Sequence, residues 1–205
     1  MGVYENARKA TKDKIINAFW DMYKEKPVNR ITVKELSDAC GIGRGTFYNH
    51  FEDVYAVLDH IEARLSLSLE KMCGEFKEKK PALNDFSRIL FNYAADKQER
   101  EYLGTLVLNR RDPFFAEGYL NILKELLFDI CIDGCKEFAS EKDRMIVDGA
   151  ISSIINLMLN CICSSALTIE ETDELIIGLL QNGYYITLTN RFGIDVFYNP
   201  FSMSK

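Results

Sequence analysis

The sequence is poor in proline, histidine and tryptophan, with four, two and one of these residues in a chain of 205. Because only four prolines and twelve glycines interrupt it, the chain keeps long segments that favour an all-α fold over a loop-rich β fold. Neither histidine has a serine, cysteine or carboxylate partner at catalytic spacing, and no phosphate-binding glycine loop or metal-ligand pattern occurs. We therefore predict an all-helical protein that is not an enzyme and binds no cofactor and no metal ion.

A signal peptide is also missing ahead of the six cysteines. The cysteines lie inside apolar helical patterns, so we expect reduced thiols and a cytoplasmic protein. Cys131 and Cys135 are four residues apart and would share a helix face, which leaves a thiol sensor or half a metal site open beside small buried side chains. Cys161 and Cys163 would point in different directions and are expected to fill the core.

Charge is distributed unevenly along the chain. The whole sequence carries a net charge of −6 and has a pI near 5.1, which alone would argue against DNA binding. Residues 1–50 contain nine Lys/Arg and six Asp/Glu, a net +3, whereas residues 51–205 contain 16 and 25, a net −9. This division suits a protein of which only one end meets phosphates.

The stretch Ile31 to Phe51 predicts two short helices joined by a tight turn. Thr32 and Glu35 have the spacing of a capping box at the start of a helix. In this motif the side chain of each residue accepts a hydrogen bond from the backbone N–H of the other. Gly41 follows this helix as the residue that can adopt a left-handed conformation just past its end. The positions expected on the inner face of the helix are Val33, Leu36 and Ala39.

The second helix of this stretch is predicted from Gly43 or Arg44 to about His50. Phe47 and Phe51 share one side of it, and the opposite side has no bulky apolar residue. A helix–turn–helix reads DNA when its second helix places such a face in the major groove. The pattern therefore favours DNA binding over a plain helical hairpin with a polar face.

The side chains on that face have the chemistry to read base edges. Arg44 can donate to both acceptors of guanine, Asn49 can pair with an adenine edge, and Thr46 offers a hydroxyl or a methyl contact. Gly45 would let the backbone approach the DNA closely. Phosphate contacts, which fix register rather than sequence, are expected from two flanking side chains, Tyr48 and His50.

This stretch resembles the DNA-binding domain of the tetracycline-repressor (TetR) family of bacterial regulators. The resemblance implies a groove-edge contact from Lys34, in addition to base or groove contacts from Arg44, Thr46 and Asn49 and phosphate contacts from Tyr48 and His50. Many members have a lysine two or three residues after the last aromatic of the pattern, a position that Asp53 and Val54 occupy here. The matching residues are Ile31-Thr32-Val33, Leu36, Ala39, Gly41-Ile42, Thr46-Phe47-Tyr48, His50-Phe51, Asp53 and Leu58.

Ahead of this stretch, the segment Glu5 to Lys14 is polar and basic. Two interpretations of it stay open, a solvated surface or an arm that follows the DNA backbone. From about Thr11, an apolar stripe predicts a first helix that ends near Lys26-Pro27. Trp20 lies within this stripe, so we expect it to anchor the core rather than to stack on a base.

Residues 53–205 predict a larger helical body. Asp53 is placed to cap a fourth helix, whose apolar stripe ends before a charged break at Lys77 to Lys80. Thr168 and Glu171 have the spacing of a second capping box that would open a last helix, to about Arg191. Two helices between Pro81 and Leu108 and one from Pro113 to about Ser140 complete the prediction, and residues 194–205 receive no role.

No charged residue occurs between Asp148 and Glu170, a length that could span a bilayer. Asn156, Asn160 and four serines weaken that interpretation, and aromatic anchors do not flank the segment at both ends. We predict instead a helix buried on all sides, partly by another subunit, and no membrane partner.

The resemblance implies that the last two helices form a four-helix dimer interface with their copies. Apolar residues on more than one side of these helices also point to a homodimer, because a soluble monomer would expose too much apolar area. A two-fold dimer places two reading helices about one DNA turn apart. The expected partner is therefore double-stranded DNA with a near-palindromic operator sequence.

These observations divide the chain into a helix–turn–helix DNA-binding domain, residues 1–52, and a ligand-sensing and dimerisation domain, residues 53–205. The predicted function is sequence-specific regulation of transcription, as a repressor released by a small-molecule effector. The alternative is an activator whose second domain binds a partner protein. Residues 86–119 are rich in aromatic side chains and could line an effector pocket or form solid core, and no particular effector follows from them.

Overall fold

The computed structural model describes residues 2–79, 83–131 and 141–164, together with 167–168, 170–172 and 174–175. The chain divides into two compact units, an N-terminal unit of residues 1–64 and a C-terminal unit of residues 65–205. Throughout the described ranges the regular elements are helices, without a strand. The predicted all-α fold class is confirmed, and the functional boundary between residues 52 and 53 remains a prediction.

The N-terminal unit contains helices α1 (Val3–Glu25), α2 (Val33–Cys40) and α3 (Arg44–Tyr48), and the start of α4 (Val54–Lys79). A short 3₁₀ turn, Val28–Arg30, follows the proline that ends α1. The helices enclose an apolar core in which Phe19 and Tyr23 stack with ring centroids 5.5 Å apart. Its other buried side chains include Ile15, Trp20, Leu36, Phe47, Phe51, Val57 and Ile61.

The start of α2 is fixed by the predicted capping box, which the structure confirms. The Thr32 hydroxyl accepts from the Glu35 backbone N–H at 3.2 Å, and the Glu35 carboxylate accepts from the Thr32 N–H at 3.0 Å. The ammonium of Lys26, just after α1, donates to the same carboxylate at 2.7 Å. The hydrogen bonds from Lys26 and Thr32 lower the pKa of Glu35 from 4.5 to about 2. One carboxylate thus joins α1, the connecting turn and α2.

The end of α2 is equally well defined. Gly41 has φ of +62°, in the left-handed region where a residue with a Cβ is strained. The Gly41 N–H donates to the Asp38 carbonyl at 3.1 Å, and the Ile42 N–H donates to the Ser37 carbonyl at 3.0 Å. These two bonds are those of a Schellman motif, and they confirm the predicted turn.

Two sequence predictions for the N-terminal unit were wrong. Helix α1 begins at Val3 rather than near Thr11, so the polar segment Glu5 to Lys14 is helical. Ala39 is exposed, while Ser37 and Cys40 are buried with Leu36. The buried face of α2 therefore contains Leu36 and Cys40, because this side of the helix packs against α1.

The C-terminal unit continues α4 and adds helices α5 (Leu83–Tyr93), α6 (Lys97–Leu103), α7 (Pro113–Cys131) and α8 (Glu141–Ser164). Asp53 caps α4 as predicted, accepting from the Ala56 N–H at 2.8 Å. The break predicted from Lys77 is wrong, since α4 runs to Lys79. An ion pair between Lys79 and Glu75, at 3.0 Å, supports this last turn.

A π-helical segment, Gly104–Leu108, follows α6. The Asn109 N–H donates to the Gly104 carbonyl at 2.9 Å, which is the i→i−5 bond of this geometry. A Cβ added at Gly104 would lie 3.5 Å from the Cβ of Cys163, so the segment packs closely on α8. Leu106 and Val107 are buried within it.

The second predicted capping box is confirmed too. The Thr168 N–H donates to the Glu171 carboxylate at 2.8 Å, and the Glu171 N–H donates to the Thr168 hydroxyl at 3.2 Å. The rest of the predicted last helix, residues 176–191, and the tail 194–205 lie outside the described residues. So does the predicted pair of Cys131 and Cys135 side chains.

Helix α8 contains the uncharged stretch of the sequence. Its segment Arg144–Ser164 is long and apolar enough to cross a membrane, and half of its most apolar window is buried inside the protein. Ile151, Ile155 and Met158 lie in the core, whereas Ser153 and Asn156 are exposed. Core helices of soluble proteins have the same composition, so the helix gives little support to a membrane span.

The Glu35 hydrogen bonds predict an acid-sensitive N-terminal unit. Because the folded-state pKa is depressed, the stabilisation is present above pH 4.5 and is lost as the pH falls towards 2. Thermal melting from pH 7 to about 2 should therefore show a larger acid-induced loss for the wild type than for Glu35→Gln. Glu25→Gln, which removes an exposed carboxylate on α1, is the control and should behave as the wild type. Parallel curves for Glu35→Gln and the wild type would contradict the assignment.

Candidate nucleic-acid interface

Helix α3 is held in place by a single buried side chain. Phe47 is fully buried, with its ring centroid 6.2 Å from that of Phe51. Gly43 precedes the helix in an extended conformation, and its carbonyl accepts from the Thr46 and Phe47 N–H groups. The helix is shorter than predicted and ends at Tyr48, although Asn49 still donates to the Gly45 carbonyl at 3.2 Å. The predicted reading face thus keeps its helical geometry through Asn49.

The structure brings the predicted contact residues of α3 onto one exposed surface, which we call the reading surface. It consists of Arg44, Gly45, Thr46, Tyr48 and Asn49, all exposed, and the half-buried His50. Within the described parts of the chain, these side chains form no hydrogen bond or ion pair. Tyr48 packs edge-on against Phe47 at 5.7 Å, which directs its ring without using its hydroxyl. The polar groups of the reading surface are therefore available to a partner.

Lys34, the remaining predicted contact residue, lies on α2 instead. It is exposed in the first turn of that helix and forms no ion pair with any described residue. Glu35 beside it is already committed to Thr32 and Lys26. The Lys34 ammonium is thus an uncompensated positive charge on the N-terminal unit.

Two cations of the polar segment Glu5 to Lys14, for which the sequence leaves open a path along the DNA backbone, lie near the reading surface. The ammonium of Lys12 lies 5.4 Å from the ring centroid of Phe51. Burial, and then the charges of Arg8 and Lys12, lower the pKa of His50 below its usual 6.5. The spacing of Arg8 and Lys12, four residues apart, would have revealed a shared face had the helix been predicted to begin at Val3.

His60, the second histidine, lies at the boundary of the core as predicted. Its ring packs edge-on against Phe51 at 5.8 Å, and burial lowers its pKa. Among the described residues, no group of three His, Cys, Asp or Glu side chains is arranged to hold a metal ion.

The C-terminal unit contains a small apolar cavity within the region predicted as pocket or core. Its volume is about 10 Å³, room for about one water molecule. Tyr93, whose hydroxyl donates to the Glu75 carboxylate at 2.7 Å, lies on its wall. Burial, and then that hydrogen bond, raise the pKa of Tyr93 to about 12. The other wall residues are Leu65, Ser68, Leu69, Met72, Leu90, Ala94, Glu99, Leu103 and Tyr119.

The N-terminal helices match a known protein family. Residues 15–61 match the family model described as bacterial regulatory proteins, tetR family. No curated protein sequence matches the chain.

Two solved structures resemble most of the chain in fold. The fatty acid degradation regulator FadR from Bacillus halodurans is 21% identical, with a TM-score of 0.54 over 84% of this chain and 95% of that one. FadR from Bacillus subtilis, solved in complex with stearoyl-CoA, is 18% identical, with a TM-score of 0.51 over 83% and 97% of the two chains.

The helix–turn–helix formed by α2 and α3 lies within these matched residues. Residues 15–61 are a DNA-binding domain of the tetR family. The resemblance that begins at Ile31 is thereby confirmed.

Proposed function

We propose that this chain is a repressor that binds a near-palindromic DNA operator as a homodimer and leaves it when a small molecule binds in residues 53–205. The reading surface supports the DNA-binding part of this proposal. Its polar side chains have no partner in the described protein, although they are fixed to a helix that Phe47 anchors. Such pre-positioned and unused donors suit contacts to base edges.

Arg44 and Asn49 are assigned to bases because they lie at the start and end of the exposed face of α3. Thr46 lies between them in sequence and is exposed as well. Gly45 gives further support, because a Cβ there would meet no atom within 4 Å. Nothing inside the protein requires a glycine at this position, and glycine costs about 0.5 to 1 kcal/mol in a helix interior. Close approach to DNA would explain its presence.

Three polar side chains at the margin are assigned to phosphates. Tyr48 and His50 flank the face of α3, and Lys34 stands on α2 without an ion pair. The lowered pKa of His50 favours a neutral imidazole near neutral pH, which can still donate one N–H to a phosphate oxygen. These contacts would fix the register of α3 in the groove.

The homodimer is supported by the exposed face of α8. The Asn156 side-chain amide donates to the Ser152 carbonyl at 2.9 Å, and that of Asn160 donates to the Asn156 carbonyl at 2.7 Å. Their N–H groups are thus partly satisfied within the helix, so removing this uncharged face from water costs little. Met145, 70% exposed, and the half-buried Leu157 add apolar area to the same helix. A second copy of the chain would cover it.

The cavity among the described residues of the C-terminal unit holds about one water molecule, so an effector that binds there requires this part of the unit to open. A ligand that binds only the opened form would shift the population towards it. The cavity wall is mostly apolar, and FadR from Bacillus subtilis was solved with stearoyl-CoA, so acyl-CoA compounds are the first class to screen. A promoter reporter gives the sign of regulation, since deletion of the gene raises expression for a repressor and lowers it for the alternative, an activator.

Substitution of the base-reading residues tests the DNA assignment. Arg44→Ala and Asn49→Ala should each cost about 1 to 3 kcal/mol on a duplex that the wild type selects from a random library, and less on random DNA. Fluorescence anisotropy measures both affinities. Arg144→Ala and Asn92→Ala, which change the same residue types on the C-terminal unit, should have no effect. Equal losses on every sequence would show that these residues do not read bases.

The dimer is tested by Leu157→Glu. A charge placed in a desolvated interface should cost about 3 to 5 kcal/mol, so the variant should sediment as the 23.5 kDa monomer and bind the selected duplex weakly. Leu67→Glu, at an exposed leucine of α4, is the matched control and should remain a dimer. If the wild-type chain sediments as a monomer at micromolar concentration and still binds the duplex with full affinity, the proposed homodimer with two reading helices on one operator is ruled out.

A further inference from the structure

The C-terminal end of the reading surface, at Asn49 and His50, is not followed by a nearby lysine or arginine in the sequence. Between Arg44 and Arg64 the sequence contains no lysine and no arginine, and Glu52 and Asp53 are exposed carboxylates in this interval. Asp53 is committed to capping α4 through the Ala56 N–H. A DNA strand that passes the end of α3 would meet negative charge there, unless another element supplies positive charge.

Helix α1 supplies that charge. Lys12 is half-buried, with its stem against the core and its ammonium 5.4 Å from the centre of the Phe51 ring. Phe51 directly follows His50, so this cation lies at the C-terminal end of the reading surface. Arg8, one turn earlier on α1, is exposed on the same helix face.

Neither cation is neutralised by the protein. No described carboxylate forms an ion pair with Arg8 or Lys12, and after burial their charges contribute to the lowered pKa of His50. Cations that gather on one surface without a counter-charge repel each other and concentrate positive potential. An anion that lies between them would relieve this repulsion. The cluster adjoins the reading surface, and that continuity favours a phosphate of the same DNA over an acidic protein segment.

We propose that Arg8 and Lys12 form a second phosphate-binding site, which holds the DNA backbone next to the phosphate contacted by His50. The site makes α1 part of the DNA interface and offsets the carboxylates that follow α3. It contributes affinity without sequence preference, because phosphate contacts are independent of base identity. The proposal rests on the DNA-binding function proposed above.

Salt dependence of the full-length protein tests the site. Each phosphate contact contributes about 0.9 to the slope of log K against log salt, so one cation in each protomer contributes about 1.8. Raising KCl from about 50 to about 200 mM should therefore weaken wild-type binding about 12-fold more than it weakens Lys12→Met or Arg8→Met. The probes are the duplex that the wild type selects from a random library and a random duplex of equal length.

Matched variants separate charge from packing. Methionine at position 12 keeps the apolar stem over Phe51, and Lys12→Arg keeps the charge and should retain the wild-type slope. Lys24→Met removes a lysine near the other end of α1, about 18 Å along the helix, and should leave the slope unchanged. If Lys12→Met lowers the melting temperature, Arg8→Met decides, because the exposed Arg8 side chain contributes no core packing.

Three results would overturn the site. Wild-type slopes for both folded variants would remove it, and so would a loss confined to the selected duplex, which would indicate base reading instead. Both results leave the proposed function standing, since the wild type still binds. If the wild type binds neither duplex at any salt concentration, the proposed DNA-binding function fails and this site fails with it.

Discussion

The burial of Phe47 is the constraint on which the N-terminal unit depends. A helix of five residues is far too short to be stable alone, because helix nucleation fixes several dihedral angles for one hydrogen bond. Phe47 resolves this by placing a fully buried ring under α3, against Phe51 and the core that α1 provides. The exposed side of α3 then owes its position to the core and not to its own contacts. For this reason Arg44 and Asn49 can stay unpaired without loss of order.

Local signals in the sequence predicted the turns and caps well. The Thr32–Glu35 and Thr168–Glu171 boxes and the left-handed Gly41 follow from spacing alone, because each involves residues within three or four positions. The same reasoning missed the start of α1, since its first ten residues carry no apolar stripe and are helical without one. It also placed Ala39 inwards, because only the packing partner decides which of two adjacent lines on α2 is buried. The proximity of Lys12 to Phe51 is a tertiary contact between residues 39 positions apart, which periodicity cannot reveal.

The N-terminal part of the chain is basic and the remainder is acidic and largely apolar. The first fifty residues carry a net +3 and offer donors, while the rest of the chain carries −9 and consists mainly of apolar helices. A uniformly basic protein would bind nucleic acid along its whole surface, and a uniformly acidic one would not approach it. Segregation leaves the C-terminal unit free to pack tightly. Among its described residues, one cavity holds about one water molecule, and Gly104 packs against Cys163 at van der Waals distance.

The carboxylate of Glu35 also limits how this sequence can diverge. It accepts hydrogen bonds from the Thr32 backbone, the Thr32 hydroxyl and the Lys26 ammonium. Groups that share one acceptor are energetically coupled, so the effects of substitutions at these three positions should not add. A substitution of Glu35 removes the hydrogen bonds to both Lys26 and Thr32. A substitution of Lys26 removes only its own bond and leaves the capping box of Thr32 and Glu35 intact. We therefore expect Lys26 to be substituted before Glu35 in evolution, and positions 26, 32 and 35 should covary among relatives.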